Sequence, residues 1–381
     1  MDGQVVCEKS EGVKYLSYHP GGGGWNNQRI ALENAVVLAK LLNRTLVVQP
    51  LAPHQELHRT FGGYKKYNRI PKDKLLPLSR VIDLKLLSKL IPVKEFSANH
   101  VEFKRRYNHL RWAQVCHNGK VGRWVDIIPR KTEKEKWRLL GQQMKSLPSY
   151  EALSKNHRIC QTELKKFESD RSRPVWGVMD ELSQRNEDLI YFSEGSLITG
   201  GPKFMFFDKE TILNIHDWTM RFIRYAPEVR ERAKAVIEAI KHSFNAIHVR
   251  RTDHKKSLEK SQEFWLQGLK SKKALKLTKT LYVATDEGNK TWFNPFLEAG
   301  YKLLFAEDFA EQLQLKNIPS AFVQDMSGLR EQLICADADN FVASPYSTFS
   351  RFIVRERMQL RWKKRTLLRN PYVSFTWIES P

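Results

Sequence analysis

The sequence predicts an α/β protein with parallel sheets, divided into two domains. Three features carry this prediction: strand-like and helix-like segments alternate in both halves, a glycine-rich turn precedes the first helix, and 381 residues exceed the usual size of one core. Hydrophobic residues make up 41% of the chain, which is enough for a packed interior and excludes a disordered protein.

The first elements form one βαβ unit. The β-prone residues Lys14–Tyr18 predict a strand, and Gly21–Gly24 interrupt it. Apolar residues spaced three and four apart predict a helix over Ile30–Leu42, and Leu46–Val48 predict a second, buried strand. The glycine-rich turn therefore lies at the carboxyl end of a strand, where parallel sheets bind ligands.

The middle of the chain, from about residue 51 to 210, contains recurrent prolines and short helical pieces. We expect an irregular segment there that belongs to the first domain, 1–215, and carries loops for an acceptor. The second domain, 216–381, shows a clearer alternation, and its C-terminal tail is expected to pack back on the first domain. Its predicted strands are 246–250, 281–285, 302–305 and 341–343, and its helices are 228–241, 292–298, 329–336 and 347–358.

The net charge of +22 favours an anionic partner such as a phosphorylated ligand. Because no Lys/Arg tail and no nucleic-acid-binding signature occur, nucleic acid is not an expected partner. Four scattered cysteines indicate neither a zinc site nor a disulfide framework. No apolar run of membrane-spanning length and no signal peptide follow Met1, so the chain as written predicts no membrane span.

Polar residues follow three predicted strands. Arg250 and Arg251 follow the strand 246–250, and two adjacent arginines there suit bidentate contact with phosphate, the alternative being a structural Arg–Asp pair. Asp286 follows the next strand, where it accepts hydrogen bonds from a ligand or caps a helix. Ser347 and Thr348 precede the last helix, and hydroxyls with helix-start amides form a phosphate cradle or an ordinary cap.

Four segments in this order resemble the GDP-fucose protein O-fucosyltransferase-like family, particularly its fungal-type members. They are GWNNQRIALENAVVLAKLLNRTLVV, HVRRTD (also similar to α1,6-fucosyltransferases), YVATDE and FVASPYSTFS. The resemblance covers residues 15–49 and 245–357. It implies a GT-B type glycosyltransferase fold, in which two Rossmann-like domains face a cleft and the second domain binds GDP-fucose.

The resemblance also implies roles for individual residues. Arg250 would contact the β-phosphate as the catalytic cation, and Glu259, one position beyond the spacing of related enzymes, is proposed as the base. The remaining predicted residues would bind the donor, and they are Gly23, Gly24, Asn27, His248, Arg251, Asp253, Asp286, Glu331, Ser347, Thr348 and Phe349. Glu331 stands where the family often has Asp, so its reach differs.

The predicted reaction is an inverting, metal-independent transfer of L-fucose from GDP-fucose to a protein Ser/Thr or a glycan hydroxyl. No metal or other cofactor is expected, because arginine guanidinium groups and the amides at a helix start can stabilise the diphosphate in place of a metal ion. The one Asp-x-Asp pattern, Asp337–Asp339, is interpreted as a helix end. Two alternatives stay open: the same fold with another nucleotide sugar such as UDP-rhamnose, or a non-catalytic polyanion-binding module. The resemblance implies the lumen of the secretory pathway, and a native N-terminus at Met1 would imply the cytoplasm.

Overall fold

The computed structural model divides the chain into two compact units, one ending at Pro227 and the other beginning at Glu228. It describes residues 12–20, 24–54, 74–97, 103, 106–107, 110, 112–118, 123–130, 182–192, 197, 209–251, 260–270, 278–314, 316, 318–345 and 347–365. The backbone alone is described for 112–118, 123–130, 209–213, 216 and 361–365. The boundary predicted after residue 215 falls inside a helix, Lys209–Phe222.

Unit 1 is built on a six-stranded sheet of order β3-β2-β1-β6-β4-β5. All neighbours are parallel except β5, which pairs antiparallel with β4. The strands are β1 Tyr15–Tyr18, β2 Thr45–Val48, β3 Val93–Glu95, β4 Trp112–Asn118, β5 Arg123–Arg130 and β6 Leu189–Phe192; the helices are α1 Trp25–Leu41, α2 Leu84–Leu87 and α3 Lys209–Phe222.

The predicted βαβ unit at the start of the chain is present as β1, α1 and β2. Helix α1 ends where Asn43 adopts a φ of 48°, a left-handed conformation that asparagine tolerates. The buried Arg44 follows, and its guanidinium donates to the carbonyl oxygens of Tyr15, Glu187 and Arg185 at 3.2, 2.8 and 2.8 Å. One side chain therefore fastens the start of β1 to the segment that leads into β6.

The middle of the chain is more regular than its prolines suggested. Strands β3, β4, β5 and β6 all fall within residues 93–192 and complete the sheet of unit 1. Strand β6 pairs with β1 and is buried over its whole length. A run of four apolar residues is too short for periodicity to identify, so this central strand could not be placed from the sequence.

Unit 2 contains a four-stranded, fully parallel sheet of order β10-β7-β8-β9. Its strands agree with the predicted ones within a residue or two, whereas helix α5 was not predicted and α7 and α8 are longer than expected. The strands are β7 Asn245–Val249, β8 Thr280–Thr285, β9 Lys302–Leu304 and β10 Phe341–Val342; the helices are α4 Pro227–Ile240, α5 Gln262–Lys270, α6 Asn294–Glu298, α7 Val323–Asp337 and α8 Thr348–Arg365. The predicted packing of the C-terminal tail lies outside the described residues.

The sheet of unit 2 separates two apolar cores. Ala246, Tyr282 and Ala284 join the core with α4, α7 and α8, whereas the alternating residues Ile247 and Val283 join the core with α5 and α6. The α/β class with parallel sheets is thus confirmed in each unit. Among the described helices, none combines the length and apolarity needed to cross a membrane.

Candidate active site

Three neighbouring strands of unit 2 end at the same edge of the sheet. Strands β10, β7 and β8 lie side by side and run parallel, so the residues after Val342, Val249 and Thr285 emerge together. In an open parallel sheet this carboxyl edge is where ligands bind. Most of the residues predicted for the donor site of unit 2 lie along it.

His248 is the last polar residue inside β7, and it is buried. Its Nδ1 lies 2.8 Å from Ser350 Oγ, and its ring stacks on Phe349 with centroids 4.5 Å apart. The indole N–H of Trp265 donates to its carbonyl oxygen at 2.9 Å. Burial, followed by the positive charge of Arg250, lowers the pKa of His248 to about 3. The low pKa favours the neutral imidazole at physiological pH.

Arg250 follows β7 directly and is half-buried. Its backbone N–H donates to Ser344 Oγ at 3.4 Å, and the Ser344 N–H donates to Ser350 Oγ at 2.9 Å. The segment after β10 is thereby tied to the end of β7. The backbone of Arg250 is thereby anchored at this edge of the sheet.

Arg251 is held by two carboxylates that follow β8. Its backbone N–H donates to Asp286 Oδ1 at 2.6 Å, and its Nε donates to Glu287 Oε2 at 3.0 Å. The guanidinium also lies over the Trp292 ring, 4.7 Å from the centroid. A hydrogen bond from the Asn289 amide, and then Arg251, lower the pKa of Glu287. The structural pair that was the alternative to phosphate binding therefore exists for Arg251, with Glu287 rather than an Asp as the ion-pair partner.

The turn after β10 leads into helix α8, which begins at Thr348. Ser347 is buried just before it, and the Ser350 amide lies 3.5 Å from Ser347 Oγ. Ser347 therefore caps the helix, and the first turn of an eighteen-residue helix is also a place that favours an anion. Arg250 and the start of α8 therefore follow neighbouring strands of the same sheet, and their donor-binding role stays a prediction.

Glu331 lies apart from that group, on helix α7. It accepts a hydrogen bond from the hydroxyl of the buried Tyr282 at 3.4 Å. Burial, followed by the charge of Glu307, raises the pKa of Glu331 to about 8. The structure thus places Glu331 against the core of unit 2, and its donor-binding role stays a prediction.

Two predicted residues, Gly24 and Asn27, belong to unit 1. Gly24 occupies the N-cap of α1 with φ −64° and ψ 174°, and no side chain caps the helix. The half-buried Asn27 side chain makes no hydrogen bond to the residues that the structure describes. The next residue, Gln28, is buried. Its side-chain Nε2 donates to the Ala52 carbonyl oxygen at 2.9 Å, and its Oε1 accepts from the Ala52 N–H at 3.1 Å.

Gly23, Asp253 and Glu259 lie outside the described residues, so their predicted roles stay predictions. Asp337 ends α7, and Asp339 lies at the other edge of the sheet, before β10, where its carboxylate accepts from Ser243. Within the described ranges, no three His, Cys, Asp or Glu side chains are grouped to hold a metal ion.

The sequence missed two contributors to this edge, Ser344 and Trp292, and it indicated Ser350 and Glu287 without their partners. The serines were visible as hydroxyl residues around the start of the last helix, but their partners are 94 and 102 residues away in the chain. Trp292 gave no signal, because an aromatic residue at a helix start more often packs in a core.

The sequence model of the family described as GDP-fucose protein O-fucosyltransferase matches residues 15–360. The chain belongs to this family. No curated protein matches it. The predicted membership is therefore confirmed over both units, and the chain is a glycosyltransferase of a GDP-fucose-dependent family.

Solved structures of fucosyltransferases are similar to the chain at low identity. POFUT1 in complex with GDP-fucose is 16% identical, with a TM-score of 0.49 over 92% of this chain and 95% of that chain. The fucosyltransferase NodZ from Bradyrhizobium is 14% identical, with a TM-score of 0.45 over 89% and 92%. NodZ α-1,6-fucosyltransferase soaked with GDP-fucose is 15% identical, with a TM-score of 0.44 over 90% and 92%. The family assignment rests on the match of residues 15–360.

Proposed function

We propose that the chain transfers L-fucose from GDP-fucose to a hydroxyl group, either of a protein Ser/Thr or of a glycan. Membership of the family supports the donor. The proposed donor site rests on one observation: Arg250, His248 and the start of α8 lie at the same edge of the sheet in unit 2. These groups are a permanent cation, a neutral imidazole and helix-start amides, all of which suit a diphosphate.

The proposed chemistry follows from the charge that develops on the leaving group. As the bond between the fucose anomeric carbon and the β-phosphate oxygen breaks, the diphosphate gains negative charge. Arg250 stabilises that charge from a fixed position, and the amides of α8 next to Ser347 and Thr348 assist. The acceptor hydroxyl attacks the opposite face of the anomeric carbon, which inverts its configuration. Glu259 is our candidate for the base that takes the hydroxyl proton.

The other predicted residues have supporting roles in this proposal. Asp286 and Arg251 hold each other and fix the chain directly after Arg250. Phe349 lies on His248 and presents an aromatic surface for the nucleoside. Gly24 and Asn27 of unit 1 supply a helix start without a bulky side chain for the sugar-phosphate. We also propose that the protein works in the secretory lumen, as the family resemblance implies.

Donor choice and metal independence are tested on the purified full chain. GDP at 100 times its dissociation constant stabilises a one-site protein by about 2.7 kcal/mol, so a thermal shift of a few degrees is expected with GDP and none with UDP. GDP release from GDP-fucose in the presence of acceptor should continue unchanged in EDTA. A rise in melting temperature with UDP but not with GDP would overturn GDP-fucose as the donor. Activity that EDTA abolishes and Mn²⁺ restores would overturn the metal-independent mechanism.

A further inference from the structure

Ser350 has no role in the chemistry described so far, although it is buried at the centre of the site's hydrogen bonds. Its Oγ lies 2.8 Å from His248 Nδ1 and accepts the Ser344 N–H at 2.9 Å. Ser344 in turn accepts the N–H of Arg250 through its own hydroxyl oxygen. One hydroxyl group thus connects the two residues proposed to face the diphosphate.

The direction of the hydrogen bond between Ser350 and His248 follows from counting protons. A serine hydroxyl has one proton and two lone pairs, and the Ser344 amide uses one lone pair. The described residues offer the Ser350 proton no acceptor other than His248 Nδ1. If Nδ1 carried a proton itself, the buried hydroxyl would be left without an acceptor, which is unfavourable. Ser350 therefore donates, and Nδ1 accepts.

We propose that Ser350 is a positioning residue that holds His248 as the neutral tautomer with its proton on Nε2. This proposal rests on the proposed function, since it gives His248 a donor N–H for an oxygen of the nucleotide sugar. The ring orientation is set from two further sides, because Phe349 covers one face and Trp265 holds the His248 carbonyl. The hydroxyl also keeps Ser344 in place beneath the Arg250 amide.

The tautomer is measurable without any activity. Long-range ¹H–¹⁵N correlation spectra of the histidine rings distinguish a protonated Nε2 from a protonated Nδ1, and His248→Gln identifies the signal among the 11 histidines. We expect one tautomer with the proton on Nε2 in the wild-type protein. In Ser350→Ala we expect a mixture of tautomers. A wild-type His248 with its proton on Nδ1 would overturn the proposal even if the variant fails to fold.

The functional consequence is measured as donor affinity. Ser350→Ala should weaken GDP-fucose binding about tenfold, the usual cost of one lost hydrogen bond to a positioned group, with a smaller change in kcat. The matched control is Thr278→Val, which removes a hydroxyl that accepts the Thr280 amide at the opposite edge of the same sheet and should leave affinity unchanged. Unchanged affinity in folded Ser350→Ala would overturn the positioning role. If wild-type protein shows the expected tautomer but binds no donor, the proposed function fails instead.

Discussion

The two units present different surfaces where a strand leads into a long helix. In unit 1 the N-cap of α1 is Gly24, which offers backbone and no side-chain cap. In unit 2 the residues around the start of α8 include Ser350, which contacts His248 of β7, and Ser344, which accepts the Arg250 N–H just after β7. Ser347 lies against the Ser350 amide. The comparison indicates that the edge of unit 2 holds charged and polar side chains, whereas Gly24, the described residue directly before α1, contributes backbone only.

The largest expected effect tests the charge at the edge of unit 2. Arg250→Ala should lower kcat by about 10²- to 10³-fold, the usual cost of removing one group that stabilises developing negative charge. GDP release from GDP-fucose with acceptor present measures it. Arg250→Lys keeps the positive charge but loses the planar guanidinium group. Its activity should therefore lie between that of the wild type and that of Arg250→Ala.

Lys234→Ala is the control for this change, because it removes an exposed cation from α4 whose partner is Glu238 at 3.3 Å. Its activity should equal that of the wild type. Arg250→Ala protein that is folded and turns over at the wild-type rate would remove Arg250 from the mechanism, and with it the assignment of charge stabilisation to unit 2.

The second prediction compares two neighbouring amides at the start of α1. Gln28→Ala removes two hydrogen bonds to the fully buried Ala52 and should lower the free energy of unfolding by about 2–3 kcal/mol. Asn27→Ala should change stability by less than about 0.5 kcal/mol and weaken donor binding. Chemical unfolding and donor titration of both variants measure these effects. The opposite pattern would make Asn27 the structural residue and Gln28 the candidate ligand.

A third prediction concerns Glu331, whose pKa is raised to about 8 by burial and by Glu307. Since the folded state holds its proton, the stability this group contributes is complete below its usual pKa near 4.5 and is lost as pH rises towards 8. Glu331→Gln resembles the protonated acid, so it should be more stable than wild type at pH 8 by at least about 1 kcal/mol, or 2–4 °C, and equal to it near pH 4.5.

Thermal melts at both pH values measure this difference. A variant that gains equally at pH 4.5 and pH 8 would show that Glu331 is ionised in the fold. If GDP also lost affinity in Glu331→Gln, the carboxylate would belong to the donor site, as the sequence predicted, rather than to the core of unit 2.

The sequence predicted unit 2 better than unit 1 for a physical reason. In unit 2, strands β7 and β8 are apolar-rich runs of five and six residues that end at polar residues, so their local composition was enough to place them. In unit 1, β6 has four residues, and its place beside β1 depends on pairing across more than 170 residues. Such pairing leaves no local pattern in a single sequence.

The candidate site shows the same limit at the level of side chains. The position of Arg250 after a strand was enough to predict that it lies at the ligand-binding edge. The sequence could not show that Arg251 pairs with Glu287 and Trp292, because those partners follow a different strand. Nor could it show that Glu331 contacts Tyr282, since that contact depends on how α7 packs on the sheet.

The smallest expected effect tests the open backbone of unit 1. Gly24 has backbone angles that any residue adopts, and an added Cβ would meet the His54 ring at 3.4 Å, an ordinary contact. Gly24→Ala should therefore change stability by only a few tenths of a kcal/mol, and Gly24→Ser should restore or improve it by capping the helix. If a donor approaches this turn closely, both variants should weaken GDP-fucose binding while their unfolding curves stay near wild type. Unchanged affinity in both would leave Gly24 as a turn residue and confine donor recognition to unit 2.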